Sequence, residues 1–336
     1  MNARFVLVVL AFLVSSRSAL SANLSGDLFG VISKSEDDYQ LTSRYSPRLE
    51  SEFDFQESSL MAFAEGRFQY SETKNNSENQ AEVNRAWIRW NTESFSVRVG
   101  RQKVNFGPSK VLRPLQWFDQ IDPRDIVPYT RGVDGSVAKF FLEENHSLWF
   151  WTFQDSQLLE GTSLLTTKEN TYAQGGRIEL YGNHGFSYLQ RKVELADTEG
   201  SSRLYGFDTV WDLGAAVWFE AEWEQAELIP KNQLNVTLGL DYTFNIGNGI
   251  YLLVEHNYQD AKDSFPDPIA TTAIRASYPL DLIDNISFLG IQSTDFNYQL
   301  IQFTRTLDEY LWGLGIYYQE LENSETGVQL TAQWSH

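Results

Sequence analysis

The chain contains no cysteine in 336 residues, so neither a disulfide framework nor a thiolate metal site can hold it together. Histidine is nearly as scarce. The four are His146, His184, His256 and His336, and none has the spacing of a metal site or of a base beside its nucleophile. Phosphate-cradling glycine loops and EF-hand loops are missing too, so no catalytic residue, cofactor or metal is expected. Bases are outnumbered by acids, 26 to 45, for a formal net charge of −19. That argues against nucleic acid or an anionic membrane surface as a partner, since both need basic patches. Beyond the N-terminus there is no apolar run approaching the roughly 20 residues of a membrane helix. A helical membrane protein is thereby excluded. A transmembrane barrel is not, because its lipid-facing residues alternate with polar ones.

The N-terminus reads as a secretory signal peptide over residues 1–21. Arg4 precedes an uncharged run from Phe5 to Val14, and Ala19-Leu20-Ser21 supplies a small-residue cleavage site. Residues 22–336 form one domain, with no linker or composition break.

What fills that domain is alternation. In Val217-Trp-Phe-Glu-Ala-Glu-Trp-Glu, the residues Val217, Phe219, Ala221 and Trp223 take one face, and Trp218, Glu220, Glu222 and Glu224 take the other. Period two is the signature of a strand. The same pattern runs through Ala86, Ile88 and Trp90, through Val236 to Phe244, through Tyr310 to Tyr318, and through Val328 to Trp334. About 18 strands can be counted, or 16 if the weakly alternating stretches 184–194 and 268–293 are not strands. Tight Gly/Asn/Asp turns (91–94, 143–146, 182–185, 212–214, 245–249) alternate with longer connections (72–79, 104–133, 155–171, 225–232, 260–268). Aromatics such as Tyr70, Trp90, Trp211, Trp223, Phe244, Tyr258, Tyr278, Tyr318 and Trp334 gather near strand ends on the apolar faces, as interface girdles do. The fold expected is all-β: a transmembrane antiparallel β-barrel in a Gram-negative outer membrane.

The longest irregular segment, 103–135, carries Val111, Leu112, Leu115, Trp117, Phe118, Ile121 and Ile126, too apolar a set for free solvent. It is expected to fold inward after strand five and narrow the lumen, presenting Arg113, Trp117, Asp119, Asp122 and Asp125. This region also carries a resemblance. Gly100-Arg101-Gln102, Phe106-Gly107, Pro114, Phe118-Asp119, Asp122-Pro123 and Arg131-Gly132-Val133-Asp134 resemble the strand end and Pro/Asp-rich loop of porin-like outer-membrane barrels related to alginate-export proteins. The match covers about a sixth of the chain, and Phe106 stands where such barrels usually have Trp. The resemblance implies a barrel, and it allows a polymer exporter.

The expected pore-lining residues divide by sign. Arg67, Arg85, Arg89 and Arg98, with Gln102, face a single Glu65 on strands three to five. Asp208, Glu220, Glu222, Glu224, Asp241 and Glu255 lie on strands ten to thirteen with no base among them. Opposed rows of charge would set up a transverse field. The alternative is a wall of solvated residues paired locally. The function expected is passive diffusion of small polar or charged solutes. A polymer exporter and a plugged structural barrel are the alternatives. Expected partners are outer-membrane lipid, periplasmic chaperones and the barrel-assembly machinery during biogenesis, and small solutes. A homo-oligomer is compatible with the sequence, though nothing marks an interface. The chain ends Trp334-Ser335-His336 rather than on the usual aromatic.

Overall fold

The computed structural model describes residues 21–35, 38–55, 57–118, 121–124, 130, 132–154, 165–195, 198–229, 232–260, 268–320 and 324–336. Of the signal peptide expected over residues 1–21, residues 1–20 lie outside this set.

Eighteen strands form the wall: β1 (Ser21–Ser35), β2 (Tyr39–Asp54), β3 (Ser58–Thr73), β4 (Ser77–Thr92), β5 (Phe95–Gln102), β6 (Val133–Phe141), β7 (Ser147–Gln154), β8 (Tyr172–Leu180) and β9 (His184–Leu195) in the first half, then β10 (Thr198–Asp212), β11 (Ala216–Ala226), β12 (Gln233–Phe244), β13 (Ile250–Asp260), β14 (Ile269–Pro279), β15 (Asp284–Gln292), β16 (Asn297–Leu307), β17 (Tyr310–Glu320) and β18 (Ser324–Ser335). Each pairs antiparallel with the next, and β18 returns to β1 through the register Asp27↔Ser335 to Ser35↔Gly327. Closure leaves no unpaired edge, the condition for a sheet to span lipid. A two-residue bridge at Thr166–Thr167 joins the upper part of β9 without entering the wall.

Alternation sorts the faces. Leu28 and Ile32 on β1, Leu238 and Leu240 on β12, and Leu314 and Ile316 on β17 point outward and are exposed, as are Trp90, Trp211, Trp223 and Trp334. Exposed apolar side chains on this scale need lipid around them. The stretches 184–194 and 268–293 are strands after all. Their weak signal has a physical cause. In β9 the inward residues Leu189 and Val193 are fully buried while the outward Lys192 and Glu194 are polar. In β15 both Leu289, inside, and Ile286, outside, are apolar. Something apolar therefore covers the inner wall there, and period two fades when both faces are greasy.

Candidate functional site: the lumen and its inner loop

The covering element is the segment between β5 and β6. Val104, Phe106, Leu115, Trp117 and Phe118 form one buried cluster with the inward side chains Val137, Trp151, Phe153, Ala173, Leu189 and Leu204 of β6–β10. Phe106 stacks on Trp151 with ring centroids 5.7 Å apart, and Phe118 lies 4.6 Å from Phe153. Val111 packs in a second cluster with Trp218, Leu253, Ala273, Leu289 and Leu300 of β11–β16. The loop thus lies along the inner wall from β6 to β16. Inward residues of β18 and β1–β5 belong to neither cluster.

Polar anchors fix the loop as firmly as packing does. Glu255 accepts the backbone N–H groups of Lys110 (2.7 Å), Val111 (2.9 Å) and Leu112 (2.6 Å), and the Trp218 indole N–H at 3.2 Å. Glu220 accepts Ser109 N–H at 2.8 Å and Leu115 N–H at 3.1 Å. The Trp117 indole donates to Glu222, the Lys110 ammonium to Asp241, and Thr237 Oγ1 to the Leu112 carbonyl at 2.8 Å. Burial works against the Lys110 charge, but its bond to Asp241 wins and raises the pKa. Two glycines make the approach close enough. A Cβ on Gly206 would meet Leu115 at 2.7 Å. Gly107 has φ +88° and would place a Cβ 2.5 Å from Glu220 Oε1. Gly107→Ala is therefore expected to cost about 1–3 kcal/mol in strain. It should also push Glu220 off its two amides, which earlier proteolytic nicking of the 103–118 segment in refolded barrel would reveal.

These contacts correct the expected lining. Glu220 and Glu255 are 0% exposed, and Asp208, Glu224, Gln102 and Trp117 are also buried, so none of them borders an open passage. Carboxylates in a low-dielectric wall must find donors, and backbone amides supply them here. Nor are these strands without bases nearby. Arg177 on β8 pairs with Asp208, its Nη2 2.9 Å from Oδ1, and Arg191 on β9 sits 3.0 Å from Glu224. Both arginines escaped sequence reading because their partners lie two or more strands away. Arg177 also lies over the Phe106 ring at 5.1 Å. Asp119 and Asp125 fall outside the described residues. Asp122 bonds to Arg124, with Nη2 2.6 Å from Oδ2. Burial would raise its pKa, but those bonds hold the carboxyl below its ordinary range. Arg124 in turn lies 5.7 Å over Phe296, so Asp122 faces the β16 side and not the arginines of β3–β5. Arg113 is half-buried on the loop.

The arc left uncovered carries a row of arginines, most of them paired with acids. Arg48 and Arg85 both bond Glu65, at 3.0 and 2.6 Å, Arg48 also pairs with Asp27, and Arg67 lies 3.5 Å from Glu82. Arg89 and Arg98 face each other directly across β4 and β5. Each lies 5.5 Å from the Trp87 ring, which stacks on Phe63 at 5.2 Å. Arg98 donates to Gln102 Oε1 at 2.6 Å and to the Lys103 carbonyl at 3.1 Å, whereas Arg89 Nε is buried without a partner. Among the described residues neither forms an ion pair.

A closed 18-stranded antiparallel barrel with an apolar exterior, a charged interior and a loop laid inside it is a porin-type fold, and the chain is an integral outer-membrane β-barrel of a Gram-negative cell. Among solved structures it resembles the OprD/Occ family porins of Pseudomonas aeruginosa. With OprD the TM-score is 0.62 at 10% identity, over 94% of this chain and 95% of that one. With OccK5 (OpdH) it is 0.62 at 8%, over 94% and 97%. With OpdK, solved with vanillate, it is 0.63 at 9%, over 94% and 98%. No protein-family model matches the chain, and no curated protein does. At these identities the likeness is one of fold. It gives the alginate-export relation no support.

Proposed function

We propose that the chain is a passive channel for small anionic solutes, which move between the inner loop and the arc from β18 through β1 to β5. The observation that carries this reading is the Arg89–Arg98 pair. Like charges placed directly opposite on adjacent strands repel, and these two have no carboxylate to separate them. A passing anion would supply the missing charge. Trp87 and Phe63 offer a flat apolar surface between cations, suited to an organic anion. OpdK was solved with vanillate, an aromatic carboxylate, and a solute of that kind would fit this arrangement.

Asp27, Glu65 and Glu82 cannot compete, since each is already paired with arginine. Toward its turn end, however, β2 carries Glu50, Glu52 and Asp54 on the inward face. Once Arg89 and Arg98 are neutralised these acids would dominate. Reversal potentials in planar bilayers under a salt gradient test this directly. The wild type should prefer anions, and R89Q/R98Q should shift the permeability ratio toward cations by about tenfold, the effect of ~1–2 kcal/mol on a permeating ion. Cation preference in the wild type, or a ratio indifferent to the double substitution, would overturn the reading.

A further inference from the structure

On the outside of the wall, strands β8–β11 carry three outward-facing rows. The lowest is apolar: the Phe186 and Phe207 ring centroids lie 4.9 Å apart, and those of Phe207 and Phe219 6.1 Å. Above it Tyr188, Tyr205 and Trp223 stand side by side in register, 5.4 and 5.6 Å apart. Tyr and Trp settle at the headgroup level, so this row marks the edge of the hydrocarbon. The Tyr188 hydroxyl donates away from it, to Gln190 Oε1 at 3.1 Å. The third row, one pleat nearer the long connections, is polar: Gln174, Gln190, Arg203 and Gln225 on four successive strands. Long connections mark the outer side of such a barrel, so this row meets the outer leaflet.

Arg203 is exposed, and among the described residues it forms no ion pair. Outward-facing Arg101, by contrast, is spent on Asp134 at 2.6 Å. Lys192 stands diagonal to Arg203, because Lys192 faces Ser201 while Arg203 faces Gln190. Diagonal neighbours on paired strands lie about 7 Å apart, so two side chains of this length can close on one anion. Lys192 gives one N–H to Ser201 Oγ at 3.0 Å, which leaves the rest of its ammonium free. The chain is acidic as a whole, but the acids near this pair are turned elsewhere. Glu227 accepts the Ser201 amide at 2.9 Å. Glu194 and Glu199 face each other two residues farther toward the loops, with Lys168 on Glu199.

We propose that this outer face is a docking site for a phosphorylated glycolipid of the outer leaflet. Its phosphate lies between Arg203 and Lys192, its sugar against Gln190 and Gln225, and its acyl chains over the Tyr188–Tyr205–Trp223 row and the phenylalanines below. A guanidinium meets phosphate through paired N–H bonds, and the ammonium adds a point charge. Side-chain amides both donate and accept, which suits sugar hydroxyls. The three rows thus follow the order of groups along such a lipid, from charged head to hydrocarbon. The site is on the far side of the wall from the passage and depends on neither the inner loop nor the solute.

Native mass spectrometry of the refolded barrel, released from micelles doped with diphosphoryl lipid A, provides the test. One retained lipid A is expected, and it should survive an excess of phosphatidylethanolamine. R203Q/K192Q should lower the retained fraction about tenfold, since both phosphate partners are lost. K34Q removes an exposed outward cation on β1 and should leave retention unchanged. Wild-type conductance in both variants would show that they fold. The site is overturned if the wild type retains no lipid A, or if R203Q/K192Q retains it as well as the wild type does. Equal losses in K34Q would mark a general charge effect, and equal retention of phosphatidylethanolamine an unselective lipid shell; either result also overturns it. So does displacement by inorganic phosphate at matched concentration, which would mark an anion site without a lipid.

Discussion

Glu255→Ala is expected to release the inner loop and raise single-channel conductance several-fold. The substitution strands four N–H donors, three of them consecutive backbone amides at 2.6–2.9 Å. Hydrogen bonds to a charged acceptor are worth about 1.5–3 kcal/mol each. Freed amides can rehydrate only if the loop leaves the wall, so the net loss of docking free energy is about 4 kcal/mol. Val111 would then come away from Trp218 and Leu253, and Lys110 from Asp241. Glu220→Ala, which strands two amides, should have a smaller effect in the same direction. Conductance histograms and limited proteolysis of residues 103–118 both report on this. A variant with wild-type conductance and a protected loop would show that packing alone holds the segment, and the carboxylate anchors would lose their assigned role.

Asp208→Ala should be the most damaging single change to stability in the wall. It leaves Arg177, whose side chain is 3% exposed, without its partner beneath the loop. Ser187 and the more distant Glu179 remain, at 3.1 and 3.4 Å, but neither replaces a two-oxygen contact. Breaking a buried pair by removing one member costs about 3–5 kcal/mol because the surviving charge stays desolvated. Urea titration of the barrel refolded in lipid vesicles should show that loss. D208A/R177M should recover most of it, because removing both charges removes the penalty. If D208A unfolds at the wild-type urea concentration, Arg177 must reach water or another acid. The buried pair would then be peripheral to the seat of Phe106.

The barrel was legible in the sequence because lipid imposes a strict local rule. Every second residue from Val236 to Phe244, or from Tyr310 to Tyr318, must be apolar, and nothing distant can alter that. The rule weakens where the inner wall is dry. Leu189, Val193, Leu289 and Ile291 face inward yet are buried, so their strands lost the contrast that period two requires. The lumen was harder to read. Glu220, Glu222 and Glu224 appear in sequence as a solvated acidic row or one side of a transverse field. Their actual partners are an amide of Ser109, an amide of Leu115, the Trp117 indole and Arg191. A backbone amide carries no sequence signature. Arg191, two strands before Glu224, could be matched to it only with the strand register known.

Composition and alternation by themselves therefore determined the class of the molecule: exported, free of disulfides, a sheet with lipid on one side and charge on the other. Tertiary structure alone decided which charges are spent and which are left. Contacts between Glu255 and Lys110–Leu112 span more than 140 positions along the chain. They exist because a closed barrel brings strand thirteen within reach of the loop after strand five. Local patterning follows from what each residue touches on its own strand, whereas pairing across a lumen follows from closure, register and the path of one loop.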